Sequence, residues 1–287
     1  MTNPSTHDSS GVLIPTPNEV YDTFRARRQE MALLPQGNLA LINTQWFYGE
    51  PAIAETVWGI PGLWSAPADG VQGIHLFATV EDAITVDGVL VSGDLVVVGR
   101  DSGVASTIAF ADGKTGTVIR GEDGKYALRV WDVNSDNRQR FGSIDACEYN
   151  PEWVITGTYT PIEGGLALGV NHLKDDGAAR DKFVPGDICF VHDGVEYHPA
   201  GFTEGRALMI VFSDASSGVS SYSVGRFLMV APNPDGTITL DFNRAFLPPC
   251  AFSYNFNCPM PPAQNRFPFL VDAGEKNVLD KSGALLH

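Results

Sequence analysis

Seven Asp-Gly dipeptides, at residues 69, 87, 112, 123, 176, 193 and 235, punctuate the chain and constrain its fold more than any other feature. Glycine tolerates positive φ, and aspartate does so to a lesser degree, so these pairs favour tight hairpin turns. Between them run short β-branched and aromatic stretches. The first set of expected strands is Ile74 to Thr79, Ala83 to Val86, Val89 to Val91, Leu95 to Val98, Ser106 to Phe110, Thr117 to Arg120, Tyr126 to Trp131 and Trp153 to Thr160. The second is Leu166 to Val170, Ile188 to Val191, Val195 to His198, Ala207 to Phe212, Val219 to Val230 and Thr237 to Phe242. Runs of this length and spacing predict a mainly β protein whose antiparallel sheets close as a sandwich or barrel.

Helix is expected only near the start. Over residues 18 to 34, Asn18 is a candidate N-cap, Glu19 and Asp22 fall in the first turn, and Val20, Phe24 and Met31 form an apolar stripe. Pro35 and Gly37 end it. Residues 39 to 48 predict a second, shorter helix packing Leu41, Trp46 and Phe47 inward. Pro161 to Gly165 interrupts the strand pattern and suggests a soft boundary. The resulting division is an N-terminal tail and helical segment over 1–50, a first β unit over 51–160 and a second over 161–287, with the β units sharing one core.

Charge narrows the partners. The 287 residues carry 19 Lys and Arg against 34 Asp and Glu, a net charge of −15, with a pI near 4.6. Such a surface repels the phosphate backbone of nucleic acid and anionic lipid. Residues 1 to 11 are small and polar, unlike a secretory signal, and no apolar run reaches the ~18 residues of a membrane span. A cytoplasmic protein is expected, its four cysteines (147, 189, 250 and 258) reduced. Nothing in the sequence sets the oligomeric state.

The motifs of phosphate loops, dinucleotide folds, serine hydrolases and zinc sites are missing, so no cofactor is expected. One stretch has metal-like texture. From Pro185-Gly186-Asp187 to His198 it is similar to the hairpin of cupins, with His192, Glu196 and His198 as candidate ligands of a divalent ion. His192 lies in the turn, however, and no upstream H-x-H completes the set. A surface hairpin with solvated His and Glu is the competing reading.

The densest collection of functional groups lies between residues 226 and 265. Along Thr237 to Phe242, Ile238, Leu240 and Phe242 share one face and put Asp241 on the other. Asn243 and Arg244 follow at the strand's end. Prolines then fix the backbone around Cys250 and Cys258. Arg226 lies on a strand joined to that of Asp241 by a short turn, so the two are expected to meet. Arg226, Asp241, Asn243, Arg244, Cys250, Cys258 and Asn265 therefore form a candidate site for a small polar or anionic molecule, because an Arg fork beside Asn suits carboxylate or phosphate. A thiol near Arg would also suit a nucleophile, which points toward an enzyme of unassigned reaction class. The competing readings are a buried structural network and a non-catalytic interaction module presenting aromatics such as Trp46, Trp58, Trp64 and Phe267 to Phe269.

Several of these residues resemble a known signature. Phe-Ser-Asp-Ala-Ser-Ser-Gly (212 to 218), Ser221-Tyr222, Gly225-Arg226-Phe227-Leu228, Asp241-Phe242-Asn243-Arg244-Ala245, Pro248-Pro249-Cys250-Ala251-Phe252, Cys258-Pro259-Met260-Pro261-Pro262, Asn265 and Ala273-Gly274-Glu275-Lys276 are similar to the pattern of the bacterial and archaeal domain-of-unknown-function family 1684. Arg120-Gly121, Arg129 to Asp132, the Trp153 strand and the first helix with Arg25 and Arg28 resemble its earlier part. Ser221 stands where that pattern usually has Thr, which keeps the hydroxyl. The resemblance implies kinship and brings no activity. It also implies that the C-terminal run travels as a unit with Arg226.

Overall fold

The computed structural model describes residues 6–7, 13–51, 53–175 and 179–287, so the expected turn at Asp176-Gly177 and most of residues 1 to 11 lie outside the described residues. The chain forms two compact units, residues 31–140 and residues 1–30 with 141–287. Both are β-rich, and every strand ladder is antiparallel. No helix among the described residues is long and apolar enough to cross a membrane.

In the unit of residues 31–140, a six-stranded sheet runs in the order 41–47, 126–131, 115–120, 108–109, 85–86, 89–90, and a three-stranded sheet in the order 63–65, 74–78, 93–97. Their inner faces enclose Trp64, Ile74, Leu76, Ile84 and Leu128, all fully buried. Aspartate-glycine pairs close the hairpins in two ways. At Asp87-Gly88 both residues have positive φ, 53° and 78°, the twist that suits a two-residue hairpin. At Asp112 and Asp123 only the glycine is left-handed, and the carboxylate instead accepts the backbone N–H two residues on.

The expected second helix is a strand. Leu41–Phe47 pairs with Tyr126–Trp131, burying Leu41 and Phe47 while the residues between are half-buried. Ile42, Thr44, Trp46 and Phe47 fit a pleated surface better than a helix, and the ladder with residues 126–131 decides the matter.

In the other unit the longest element is Val154–Asn171, paired with Ala179–His192 on one side and Thr237–Asp241 on the other. The soft boundary expected at Pro161 to Gly165 falls inside this strand, which runs on through a register shift between Pro161 and Leu166. Gly164 and Gly165, at φ 74° and 64°, absorb the irregularity, and a Cβ on Gly165 would lie 2.3 Å from the Phe183 ring. Residues 201–204, 207–212 and 226–230 form a second sheet, and Phe141–Ala146 pairs with Glu275–Asp280. Ile188, Phe190, Phe212, Leu228, Leu240, Phe242 and Phe267 form the core, separate from the apolar cluster of residues 31–140. Its rings meet mostly edge to face, as Phe190 does with Phe267 at 5.6 Å.

The first helix spans Pro17–Ala32. Its cap is Thr16 in place of Asn18: the Glu19 carboxylate accepts from the Thr16 N–H (2.7 Å) and hydroxyl (2.9 Å), and the Glu19 N–H donates back to that hydroxyl. This reciprocal box leaves Pro17 in the first helical position, where its missing N–H costs nothing. The same bonds hold the Glu19 carboxyl below its usual range. The face turned inward is also different from the expected stripe. Val20 and Met31 are exposed, whereas Tyr21, Phe24, Arg25 and Arg28 face the unit.

Backbone at one point is irreplaceable. Gly274 has φ 77°, and a Cβ there would sit 2.7 Å from the carbonyl oxygens of both Phe242 and Ala245. Gly274→Ala is expected to lose on the order of 2–3 kcal/mol of stability in urea unfolding, from left-handed strain plus the forced shift of two carbonyls. A loss below about 0.5 kcal/mol would show that the loop yields freely.

Candidate functional site

Arg226 opens the strand Arg226–Val230 and is fully buried. Its Nη2 donates to Asp214 Oδ1 (3.1 Å) and the Val271 carbonyl (3.0 Å), and its Nη1 to the Ala273 and Glu275 carbonyls (2.5 and 3.3 Å). The guanidinium lies over the Phe212 ring at 5.2 Å. Its partner is thus Asp214, not Asp241. Asp214 also accepts from the Ser216 hydroxyl (3.0 Å), the Ser217 hydroxyl (3.2 Å) and the Val271 N–H (2.8 Å), and the Ser216 and Ser221 hydroxyls share a bond of 2.7 Å. The polar segment 213–221 is therefore a folded loop gathered on one carboxylate, and the strand expected from Val219 begins only at Arg226.

A second buried charge lies two residues past Ala273. Glu275, fully buried, receives Nε and Nη2 of Arg28 at 2.7 and 2.9 Å, has Arg25 Nη1 at 3.8 Å, and accepts the Leu247 N–H at 2.7 Å. Arg28 also lies 4.9 Å from the Phe246 ring centre. A planar fork meeting a carboxylate in this way fixes orientation as well as charge. This bridge carries the helix onto residues 245–275, and sequence reasoning assigned it no role. The available signal was Arg25 and Arg28 at i, i+3 on a helix whose apolar stripe is poor.

The two asparagines are braces. Asn265 Oδ1 accepts the Ala200 N–H (2.7 Å) while its Nδ2 donates to the Ala200 and Val211 carbonyls (2.9 and 2.8 Å). Asn243 does the same with Asn150, at 2.8 and 2.9 Å, and adds a bond to Asp241 Oδ1. Each side-chain amide pairs with a peptide group as a neighbouring strand would, satisfying buried backbone where no strand passes.

Cys250 and Cys258 lie in a buried thiol cluster. The Cys250 N–H donates to Cys258 Sγ at 3.3 Å. The Cys258 thiol and the Tyr222 hydroxyl both bond the Cys250 sulfur and hold its thiol below the ordinary value against the opposing effect of burial. Burial pushes the Tyr222 hydroxyl up. Elsewhere, Cys147 is raised to about 11 by burial and then by its bond to the Asp272 carboxylate.

Asp241 and Arg244 are placed differently. Asp241 caps the short turn Phe242–Arg244 by accepting the Asn243 N–H at 3.1 Å. Arg244 is exposed, makes no ion pair among the described residues, and rests its guanidinium over the Phe24 ring at 5.3 Å. Both line a cleft of about 210 Å³ with Pro17, Val20, Tyr21 and Tyr149. The seven candidate residues are thus not gathered on one cavity: two open onto this cleft, and five are engaged in buried contacts. In the unit of residues 31–140, a larger cleft of about 480 Å³ is lined by Arg120, Lys125, Tyr48 and Glu50 among others and contains none of the seven.

The metal-like hairpin is also rearranged. Asp193 and Gly194, at φ 50° and 76°, make its turn, and Phe190 pairs with Tyr197. Alternation puts His192 on the core side, where its ring lies 4.1 Å from Phe269 and 5.1 Å from Trp153. His192, Glu196 and His198 therefore do not converge.

Comparison with known proteins agrees with the signature residues. A family described as protein of unknown function, DUF1684, matches residues 139–276. The solution NMR structure of an uncharacterised protein from Haloarcula marismortui is 31% identical, over 47% of this chain and 77% of that one, with a TM-score of 0.40. No curated protein matches the chain. Residues 139–276, the span that holds the signature residues from Phe212 to Lys276, thus match the DUF1684 family.

Proposed function

We propose that the protein binds a small polar or anionic molecule in the cleft of Arg244 and Asp241. The observation that carries this reading is the state of Arg244. In a chain of net charge −15 this cation has no ion-pair partner among the described residues, and an aromatic face holds it at the edge of a concavity. The Phe24 ring fixes the guanidinium plane and leaves its edge free for a planar oxyanion. Pro17, Val20 and Tyr149 offer an apolar wall to the rest of the ligand, and the volume suits a molecule smaller than most drug-sized ligands. Asp241 opposes a second negative group and so favours a ligand with one anionic end.

Benzoate combines one carboxylate with an apolar ring and is a suitable probe. Its binding to the full chain, followed by titration calorimetry, is expected to weaken at least tenfold in Arg244→Ala, on the order of 1.4 kcal/mol. Arg120→Ala, in the larger cleft, is expected to leave it unchanged. Affinity that survives Arg244→Ala, or that follows Arg120, overturns the reading.

A further inference from the structure

The face of the 179–197 hairpin opposite His192 carries a donor set of its own. One ligand atom each from Cys189, Glu196 and His198 lies within 4.8 Å of the others. The register explains the grouping. Phe190 faces Tyr197 and Val191 faces Glu196, so residues 187, 189 and 191 share a side with 196 and 198, while Phe190, His192 and Tyr197 turn into the aromatic core. The next strand pair extends the pattern: Asp187 lies against the His198 ring, with Nδ1 at 3.1 and 3.0 Å from its two carboxylate oxygens.

We propose that Cys189, Glu196 and His198 form a binding site for a thiophilic divalent ion of the Zn²⁺ class, with Asp187 as the positioning residue for the imidazole. Three arguments carry it. First, the chemistry is mixed: a thiol, an imidazole and a carboxylate together suit Zn²⁺ and its neighbours, whereas Mg²⁺ and Ca²⁺ take oxygen alone. Second, the spacing is close to what coordination needs. Bonds of ~2.0–2.3 Å in a tetrahedron separate ligand atoms by roughly 3.3–3.8 Å. Glu196 and His198 are exposed and free to rotate, and contraction by about an ångström lies within reach of such side chains. Third, an acceptor already stands behind the ring. A carboxylate taking the Nδ1–H leaves the Nε2 lone pair for the metal, the arrangement that commonly supports a histidine ligand. Three protein ligands leave a coordination position for water, as in zinc sites that act on substrates.

Binding displaces one proton from the Cys189 thiol to solvent, so affinity falls as pH falls. The site is independent of the Arg244 cleft.

The test uses untagged full chain stripped of metal. Calorimetry with Zn²⁺ is expected to give one equivalent, and Co²⁺ is expected to give a thiolate-to-metal charge-transfer band in the near ultraviolet. Cys189→Ser should abolish the band, and Cys147→Ser should leave it intact. Asp187→Asn, which touches no metal, should weaken Zn²⁺ binding by about 10–100-fold while keeping the band. Because all four residues lie at the surface or half-buried, far-ultraviolet circular dichroism should be unchanged in every variant. Zn²⁺ well below one equivalent, a band that persists in Cys189→Ser, or full competition by Mg²⁺ overturns the proposal.

Discussion

Asp214→Asn is expected to cost ~3–5 kcal/mol, the range measured when one member of a buried ion pair is removed. Asp214 and Arg226 both have side chains with no solvent exposure, so the remaining guanidinium keeps its charge and cannot recover water. The carbonyls of Val271, Ala273 and Glu275 still accept its hydrogens, but a neutral amide supplies no compensating charge. The Ser216 and Ser217 hydroxyls and the Val271 N–H also lose an ionised acceptor. Hydrogen exchange of the amides in residues 207–212 and 226–230, followed in urea, reads the loss locally. Protection reduced by less than tenfold, about 1.4 kcal/mol, would mean that the carbonyls alone hold Arg226.

The second large effect concerns the helix. Glu275→Gln leaves Arg28 over Phe246 without its bidentate partner and is expected to destabilise by ~3–5 kcal/mol on the same grounds, since Arg28 is only 14% exposed and Glu275 not at all. Arg28→Met alone strands the Glu275 carboxylate, with Arg25 at 3.8 Å its remaining cation. The double variant Arg28→Met, Glu275→Leu removes both charges and is expected to be more stable than either single variant, because well-packed apolar replacements of buried pairs are often neutral or better. It retains a deficit of about 1–3 kcal/mol from the Leu247 N–H, whose acceptor is gone. Urea unfolding of the unsubstituted protein, Arg28→Met, Glu275→Leu and the double variant closes the cycle. Additive single effects would show that the bridge contributes no coupling. Because Val20 and Met31 are exposed, the helix has few apolar contacts to fall back on, and limited proteolysis within residues 17–32 should accelerate in Glu275→Gln.

Parts of this architecture are legible in the sequence because local signals and tertiary contacts agree there. Tyr126–Trp131 and Ala207–Phe212 have the bounds expected of them, each a β-rich run that follows a glycine-containing turn. Residues 39–48 read as a helix because they open with Leu39, Ala40 and Leu41, which have high helical preference, and only the ladder of Leu41–Phe47 with residues 126–131 reveals otherwise. Val219 looked like the start of a strand, yet it is 85% exposed on a loop whose shape is set by Asp214. The division of the chain was hidden for another reason. Residues 31–140 are an insertion between segments that belong to one compact unit, and no composition shift marks either junction.

The C-terminal cluster shows why density of polar groups is ambiguous. Asn243, Asn265, Asp214 and Arg226 are the residues that an irregular, buried backbone requires to satisfy its own N–H and C=O groups, and they are also those a ligand site would use. Sequence cannot tell which way an amide points. Pairing of Arg226 with Asp214 instead of Asp241 depended on the fold of the 213–221 loop, which no periodicity encodes.

The bridge from Arg28 to Glu275 joins positions 247 residues apart, and this has a temporal consequence during synthesis. Residues 41 to 131 hold all the ladder partners of their own sheets, so they can fold while the ribosome is still extending the chain. The helix that precedes them waits for a partner carboxylate made 247 residues after Arg28. Its outer face of Glu19, Asp22, Arg27 and Glu30 keeps it hydrated through that interval. An early segment with a greasy stripe would instead find the nearest nascent strand. Docking by charge, in place of apolar surface, lets a helix made early be placed late.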